Sequence, residues 1–153
     1  MIVYRLFKAG YATVLSCEGA RRTGGRWNSK GIPMIYTSES RSLCTAEMAV
    51  HLPLGILPSG FVMMSIEIPG QIPIIELEPA ELPETWKSFP HHPVTQGKGD
   101  EFIRKAKFAV MKVPSAVVPG DHNYLLNPDH KLFNEPRILK TEPFDFDQRL
   151  FLK

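Results

Sequence analysis

Apolar and polar positions alternate through IVYRLF at the start of the chain. Ile2, Tyr4 and Leu6 would share one face of a strand and Val3, Arg5 and Phe7 the other, which sets Arg5 among apolar neighbours. MIYTS, Met34 to Ser38, reads as a second strand, and Ser40 or Ser42 can cap a helix that runs to about Leu52 and stops before Pro53. Two further β-like runs, Phe61 to Ile68 and Ile72 to Glu78, flank a Pro-Gly turn. Residues 79 to 98 are proline-rich and polar around Trp86, which predicts a long excursion over the core. A short helix from about Asp100 to Lys107 leads into FAVMKV, a strand ending at Pro114. In the tail, from Asn123 onward, Asn127 and Pro128 mark a turn, Arg137 to Lys140 a strand, and a last strand ends near Phe151. Residues 17 to 33 read as irregular loop.

Composition narrows this picture to an α+β fold in a single domain over residues 1–153. At 153 residues and 43% hydrophobic the chain can bury one core but is short for two, and no internal repeat or linker divides it. Fourteen prolines and eleven glycines argue against a helical bundle, since proline removes a backbone donor and tends to end an element. Eighteen basic against sixteen acidic side chains leave a formal charge of +2, too small by itself to indicate a polyanionic partner. Cys17 and Cys44 have no CxxC spacing, so neither a structural zinc nor a disulfide framework is expected, and a reducing cytoplasm fits. MIVYRLFKAG lacks the apolar core of a signal peptide, and no run reaches membrane-spanning length. A soluble, cytoplasmic protein is expected.

Three stretches carry candidate chemistry. In SRSLCTAEMAVHL, Glu47 falls about 40° from Leu43 and about 60° from Val50 on a helical projection, so one acid lies inside an apolar surface. The helix shows little polar surface and is expected to be buried on most sides. A carboxylate there must be paired, protonated or facing a cavity, and an ion pair with Arg5 or Arg26 competes with a catalytic role. GGRWNSKG, Gly24 to Gly31, holds Arg26 between glycines and Trp27, a placement suited to gripping a phosphate or carboxylate. The stretch is neither a Walker A loop nor GxGxxG, and its glycines, Trp27 and Arg26 can equally serve as turn, core edge and solvated charge. In VPSAVVPGDHNYLLNPDH, Ser115 follows a strand without a GxSxG elbow, so a turn or capping serine is the ordinary reading; Asn123 and Asn127 are commonly turn residues too. His91, His92, His122 and His130 show no HExxH or comparable spacing, and no metal is expected.

Taken in order, GGRWNSKGIPMIYTSESRSLCTAEMAVHL, TQGKGDEF and VPSAVVPGDHNYLLNPDH resemble the RES domain, named for its arginine, glutamate and serine. The resemblance runs from Tyr4 and Arg5 to FDFDQRLF and matches Arg26, Glu47 and Ser115 to the three naming residues, with Tyr36 and Asn123 at recurrent positions. Phe102 stands where many relatives carry tryptophan and Cys44 where alanine is common, both core-sized changes.

The resemblance implies a single compact domain with central, twisted, mainly antiparallel β-sheets, similar to the ADP-ribosyltransferases. It further implies the toxin of a bacterial type II toxin–antitoxin system, depleting NAD by cleaving the nicotinamide–ribose bond. The partner implied is an antitoxin with an Xre-like helix-turn-helix that blocks the active site and assembles with the toxin; direct nucleic-acid or membrane binding is not expected, and no cofactor beyond NAD as substrate. On this reading Glu47 stabilises the oxocarbenium-like ribose and holds a ribose hydroxyl. Arg26 clamps the pyrophosphate with help from Arg5, in a binding loop shared with Trp27. Tyr36 stacks on nicotinamide, while Ser115 and Asn123 position the ribose or the amide. The acceptor stays open between water, phosphate and a protein. Two rivals predict otherwise: a ribonuclease toxin gripping RNA with Arg21 to Lys30 and using His51 or His122, and a noncatalytic module with a buried Glu47–Arg26 pair.

Overall fold

The alternation in IVYRLF is realised as strand β1 (Ile2–Lys8). In this computed structural model, which describes residues 1–11 and 14–153, β1 lies inside one seven-stranded sheet. The other elements are α1 (Glu18–Thr23), β2 (Ile35–Ser38), α2 (Arg41–Ala49), β3 (Phe61–Glu67), β4 (Ile74–Glu76), α3 (Pro93–Lys105), β5 (Val110–Pro114), β6 (His122–Leu126) and β7 (Arg137–Phe144). The sheet order is β4-β5-β6-β2-β1-β3-β7, and only the β4–β5 pair is parallel. The α+β class, the mainly antiparallel sheet and the short helices are therefore as expected.

One seam in this sheet positions the site. β1 pairs with β3 along its whole length, from Ile2 opposite Glu67 to Lys8 opposite Phe61, yet meets β2 at Tyr4–Ser38 alone. Cys44 of α2 sits by this seam, hydrogen-bonded to the Ser38 side chain and the Leu6 backbone; burial pushes its thiol up to about 12. Alternation then sorts the core. Leu6 and Met63 pack with Cys44, Phe146 and Phe151 under α2, while Val3, Ile35, Met64, Ile66 and Val110 form a second cluster. A third, with Trp27, Trp86, Phe102, Met111 and Leu125, joins the glycine-rich loop and the excursion to the sheet. Each fully buried side chain of this size contributes roughly 1.5–3 kcal/mol.

α2 begins as expected: Ser40 is extended and its Oγ accepts the Leu43 N–H at 3.0 Å. Ser40→Ala is expected to cost about 1 kcal/mol, seen as a Tm lower by roughly 2–4 °C in thermal unfolding. The helix ends at Ala49, short of Leu52, and it buries only Leu43 and Cys44 completely, so the burial expected on most sides is not found. Val50 is exposed.

Several boundaries differ for identifiable reasons. Residues 17 to 33 contain α1, whose six residues have no side-chain N-cap bond and bury nothing, leaving no period to read. The runs on either side of Pro69–Gly70 do not pair with each other: β3 lies one strand from one edge, and β4 forms the other edge beside β5. β6, read only as the start of a turn-rich tail, is an interior strand between β2 and β5. α3 starts at Pro93 rather than near Asp100, with His92 Nδ1 accepting the Val94 N–H. In place of a last strand near Phe151 there is a single 3-10 turn, Gln148–Leu150, flanked by the buried rings of Phe146 and Phe151. β7 is an edge strand blunted by Lys140, Pro143 and a register irregularity opposite Ser65 and Ile66. Among the described residues no helix is long and apolar enough to cross a membrane.

Candidate active site

α2 brings Glu47 to the end of β5 and the edge of β6. Glu47 Oε1 accepts two hydrogen bonds, from Ser115 Oγ at 2.7 Å and from Asn123 Nδ2 at 2.6 Å. Ser115 directly follows β5, and its oxygen also accepts the backbone N–H groups of Val117 and Val118 at 3.1 and 2.9 Å, the local turn that a serine after a strand can close. Asn123 Oδ1 accepts from Ser38 Oγ at 2.7 Å, which fixes the orientation of its amide. Ser38 and Ser115 are buried while Glu47 is half-buried. The ion pair expected as the alternative, Glu47 with Arg5 or Arg26, is not formed. The acid is held by neutral donors, and its Oε2 has no hydrogen-bond partner among the described residues.

Arg26 is tied to the excursion. Its Nη1 donates to the carbonyls of Trp86 at 2.8 Å and Ser88 at 3.1 Å, and the guanidinium lies 6.0 Å from the Trp86 ring centroid. Nε and Nη2 make no hydrogen bond among the described residues. Burial lowers the Arg26 pKa, opposed by the charge of Glu47, so the two groups share one field without touching. His91 stands in the same neighbourhood: burial, then Arg26 and His51, push its pKa down.

The remaining expected residues separate into those the structure gathers and those it does not. Tyr36 is gathered, but its hydroxyl is committed, donating to Asn28 Oδ1 at 2.6 Å and accepting the Trp27 N–H at 3.1 Å. Burial holds that hydroxyl protonated well above its ordinary range. Trp27 lies in the core at 3% exposure, its ring tilted against Trp86 at 6.0 Å. Its indole is thus the core-edge filler, and the substrate contact expected of it is corrected. Arg5 makes no ion pair with Glu47. It lines a cavity of about 300 Å³ with Phe7, Ser16, Glu18, Gly19 and Arg22, and burial lowers its pKa. Of the other histidines, His122 faces Glu39 and His130 Nδ1 accepts the Leu132 N–H.

Asn28 and a set on α3 were not singled out by sequence reasoning. Asn28 is fully buried, and its Nδ2 donates to the carbonyls of Ala20 and Ile32 at 2.9 Å each, closing the arginine loop on itself. The only signal for it was its place inside GGRWNSKG.

A half-buried carboxylate with one free oxygen, positioned by a serine and an asparagine near an arginine with free N–H groups, can hold a polar, anionic ligand and stabilise a cation developing on it. The RES domain profile matches residues 2–147. The chain belongs to the RES domain family. Similar proteins include "Toxin Res" of Yersinia enterocolitica, 37% identical over 153 residues, covering 98% of this chain and 99% of that one. "Prs ADP-ribosylating toxin" of a Sphingobium species is 34% identical over 142 residues, 91% of this chain and 88% of the relative. Among solved structures, the M. tuberculosis MbcT–MbcA toxin–antitoxin complex contains a chain that superposes with a TM-score of 0.71. It is 20% identical, and the match covers 97% of this chain and 85% of that one, a likeness of fold. Within the RES fold, the core positions of Phe102 and Cys44 agree with their reading as packing changes.

Proposed function

We propose that this RES-family protein is the toxin of a toxin–antitoxin pair and cleaves the nicotinamide–ribose bond of NAD. The observation that carries the reading is Glu47: Oε1 is fixed by Ser115 and Asn123, and Oε2 is left to accept a ribose hydroxyl. As the bond between the ribose carbon and the nicotinamide nitrogen breaks, its electron pair leaves with nicotinamide, which departs neutral. Positive charge collects on the ribose. A carboxylate beside it stabilises the transition state more than the ground state. An acceptor then attacks the ribose carbon and releases a proton. The free Nε and Nη2 of Arg26 would hold the pyrophosphate by charge-assisted hydrogen bonds.

The named relatives support the toxin role, and the toxin–antitoxin neighbour supports an antitoxin partner, with the Xre-like helix-turn-helix and a cytoplasmic site of action carried by the family resemblance. A second reading, transfer of ADP-ribose to a protein, draws support from the name of the Sphingobium relative. In that case the acceptor is a protein nucleophile and the bond-breaking step is unchanged.

The test is to incubate the antitoxin-free protein with NAD, with and without phosphate, and follow nicotinamide and ADP-ribose products by chromatography. Release is expected, and phosphate dependence separates phosphorolysis from hydrolysis. Arg26→Ala is expected to raise KM for NAD by about 10- to 100-fold, matching the loss of hydrogen bonds to a charged group. Cleaved RNA with intact NAD would instead favour the ribonuclease reading.

A further inference from the structure

The block TQGKGDEF, residues 95–102, carries part of the family resemblance and lies outside both the arginine loop and the helix that holds Glu47. The structure shows where it goes. Gln96, Gly99 and Asp100 lie on one face of α3, at the three- and four-residue spacing of a helix, and all three meet the arginine loop. Gln96 Nε2 donates to the Gly25 carbonyl at 3.0 Å. At Gly99, a Cβ would lie 1.6 Å from the Trp27 carbonyl oxygen, so the two backbones touch with nothing between them. Asp100 accepts twice from one residue, the Ser29 N–H on Oδ1 at 2.9 Å and the Ser29 hydroxyl on Oδ2 at 2.6 Å.

We propose that Asp100 is a positioning residue for Arg26, fixing the loop Gly24–Gly31 through Ser29 so that α3 becomes the buttress on which the guanidinium is aimed. The contacts with α3 run along the loop on both sides of Arg26, and Gln96 Nε2 also reaches the Asn28 carbonyl at 3.4 Å. Gly25, Trp27 and Ser29 are held by α3, and Arg26, between the first two, projects to the Trp86 and Ser88 carbonyls. The chemistry of Asp100 fits this task better than a merely structural one. A buried carboxylate is a costly way to hold a helix against a loop, and the nearest cation, Arg104 at 4.0 Å, is 68% exposed. Ser29, however, gives one donor to each carboxylate oxygen, and an asparagine would keep the backbone N–H on its Oδ1 but meet the Ser29 hydroxyl with its own N–H, reversing that bond and leaving the hydroxyl proton without Asp100 as its acceptor.

The kinetic arm of the test rests on the NAD-cleavage reading; the exchange arm does not. In the full chain, Asp100→Asn is expected to raise KM for NAD about tenfold with kcat changed by less than about threefold, the signature of a displaced binding group. Amide hydrogen exchange is expected to accelerate across residues 24–31 and to stay at wild-type rates in β1 and β3. Ser29→Ala, which keeps the backbone N–H bond to Asp100 and loses the hydroxyl one, should move both readouts the same way by less, and it serves if Asp100→Asn does not fold. Added to Arg26→Ala, Asp100→Asn is expected to raise KM no further, because it acts through the side chain already removed. Additive effects on KM, or an unchanged KM, would overturn the proposal. If the wild type releases no nicotinamide, the NAD reading fails and the buttress is judged on exchange alone: acceleration confined to 24–31 upholds it, and unchanged rates overturn it.

Discussion

Glu47→Gln is expected to lower the rate of nicotinamide release by about 10²- to 10³-fold while shifting Tm by no more than about 2 °C. The two halves of that result have different origins. The glutamine side chain has the same shape, and its carbonyl oxygen can still accept from Ser115 Oγ and Asn123 Nδ2, so the network reaching through Asn123 to Ser38 persists. On the NAD-cleavage proposal, what is lost is the negative charge that would face the developing ribose cation, and with it the preferential stabilisation of the transition state. Glu47→Ala makes the contrast, because it leaves the Ser115 hydroxyl and Asn123 amide without their acceptor, at about 1–3 kcal/mol for each donor that becomes unsatisfied. Measuring turnover and thermal unfolding on both variants separates catalysis from support. A fully active, correctly folded Glu47→Gln protein would remove Glu47 from the chemistry and leave the noncatalytic reading of the network.

How much of this was legible in the sequence depends on how local each cause is. β1, β2, α2, β3 and β5 carry their own period or cap, and they form close to where the pattern puts them. α1 has neither, and β6 is disguised by the turn chemistry of the asparagines around it, although it lies between β2 and β5 and carries Asn123 to Glu47. The site shows the same division. An acid inside an apolar helix face can be recognised as unusual from sequence, and family resemblance joins it to Ser115 and Asn123. The partners of Arg26 are another matter. Trp86 and Ser88 offer backbone carbonyls, which every residue possesses, so no side-chain pattern announces them. Glu47 was the more obvious partner by charge, yet neutral donors hold it, and Arg26 is instead spent on stapling the excursion to the loop. The part of α3 before Asp100 was hidden for a related reason: its glycines weaken the helical signal, and the contacts it makes lie some seventy residues away in the chain.

Glycine in α3 also supplies the second large effect, through two positions whose substitutions should have opposite signs. Gly99→Ala is expected to destabilise the protein by about 3 kcal/mol, a fall of roughly 6–12 °C in Tm. The new methyl would lie 1.6 Å from the Trp27 carbonyl oxygen and 2.6 Å from its carbon, both backbone atoms, so no rotamer change relieves the clash. Either α3 or the loop must withdraw. Withdrawal would lengthen the Ser29–Asp100 and Gln96–Gly25 hydrogen bonds together and displace Arg26, so affinity for NAD should fall along with stability. Gly97, two residues earlier in the same helix, has nothing within 4 Å of its would-be Cβ and lies on the exposed side. Gly97→Ala is expected to stabilise by about 0.5–1 kcal/mol, since alanine loses less backbone entropy in a helix. Thermal unfolding of the pair, with NAD turnover measured on each, distinguishes the two causes. If both substitutions stabilise, α3 does not meet the arginine loop backbone to backbone. If Gly99→Ala alone destabilises and weakens NAD binding, the tight approach at Gly99 is what keeps Arg26 in place.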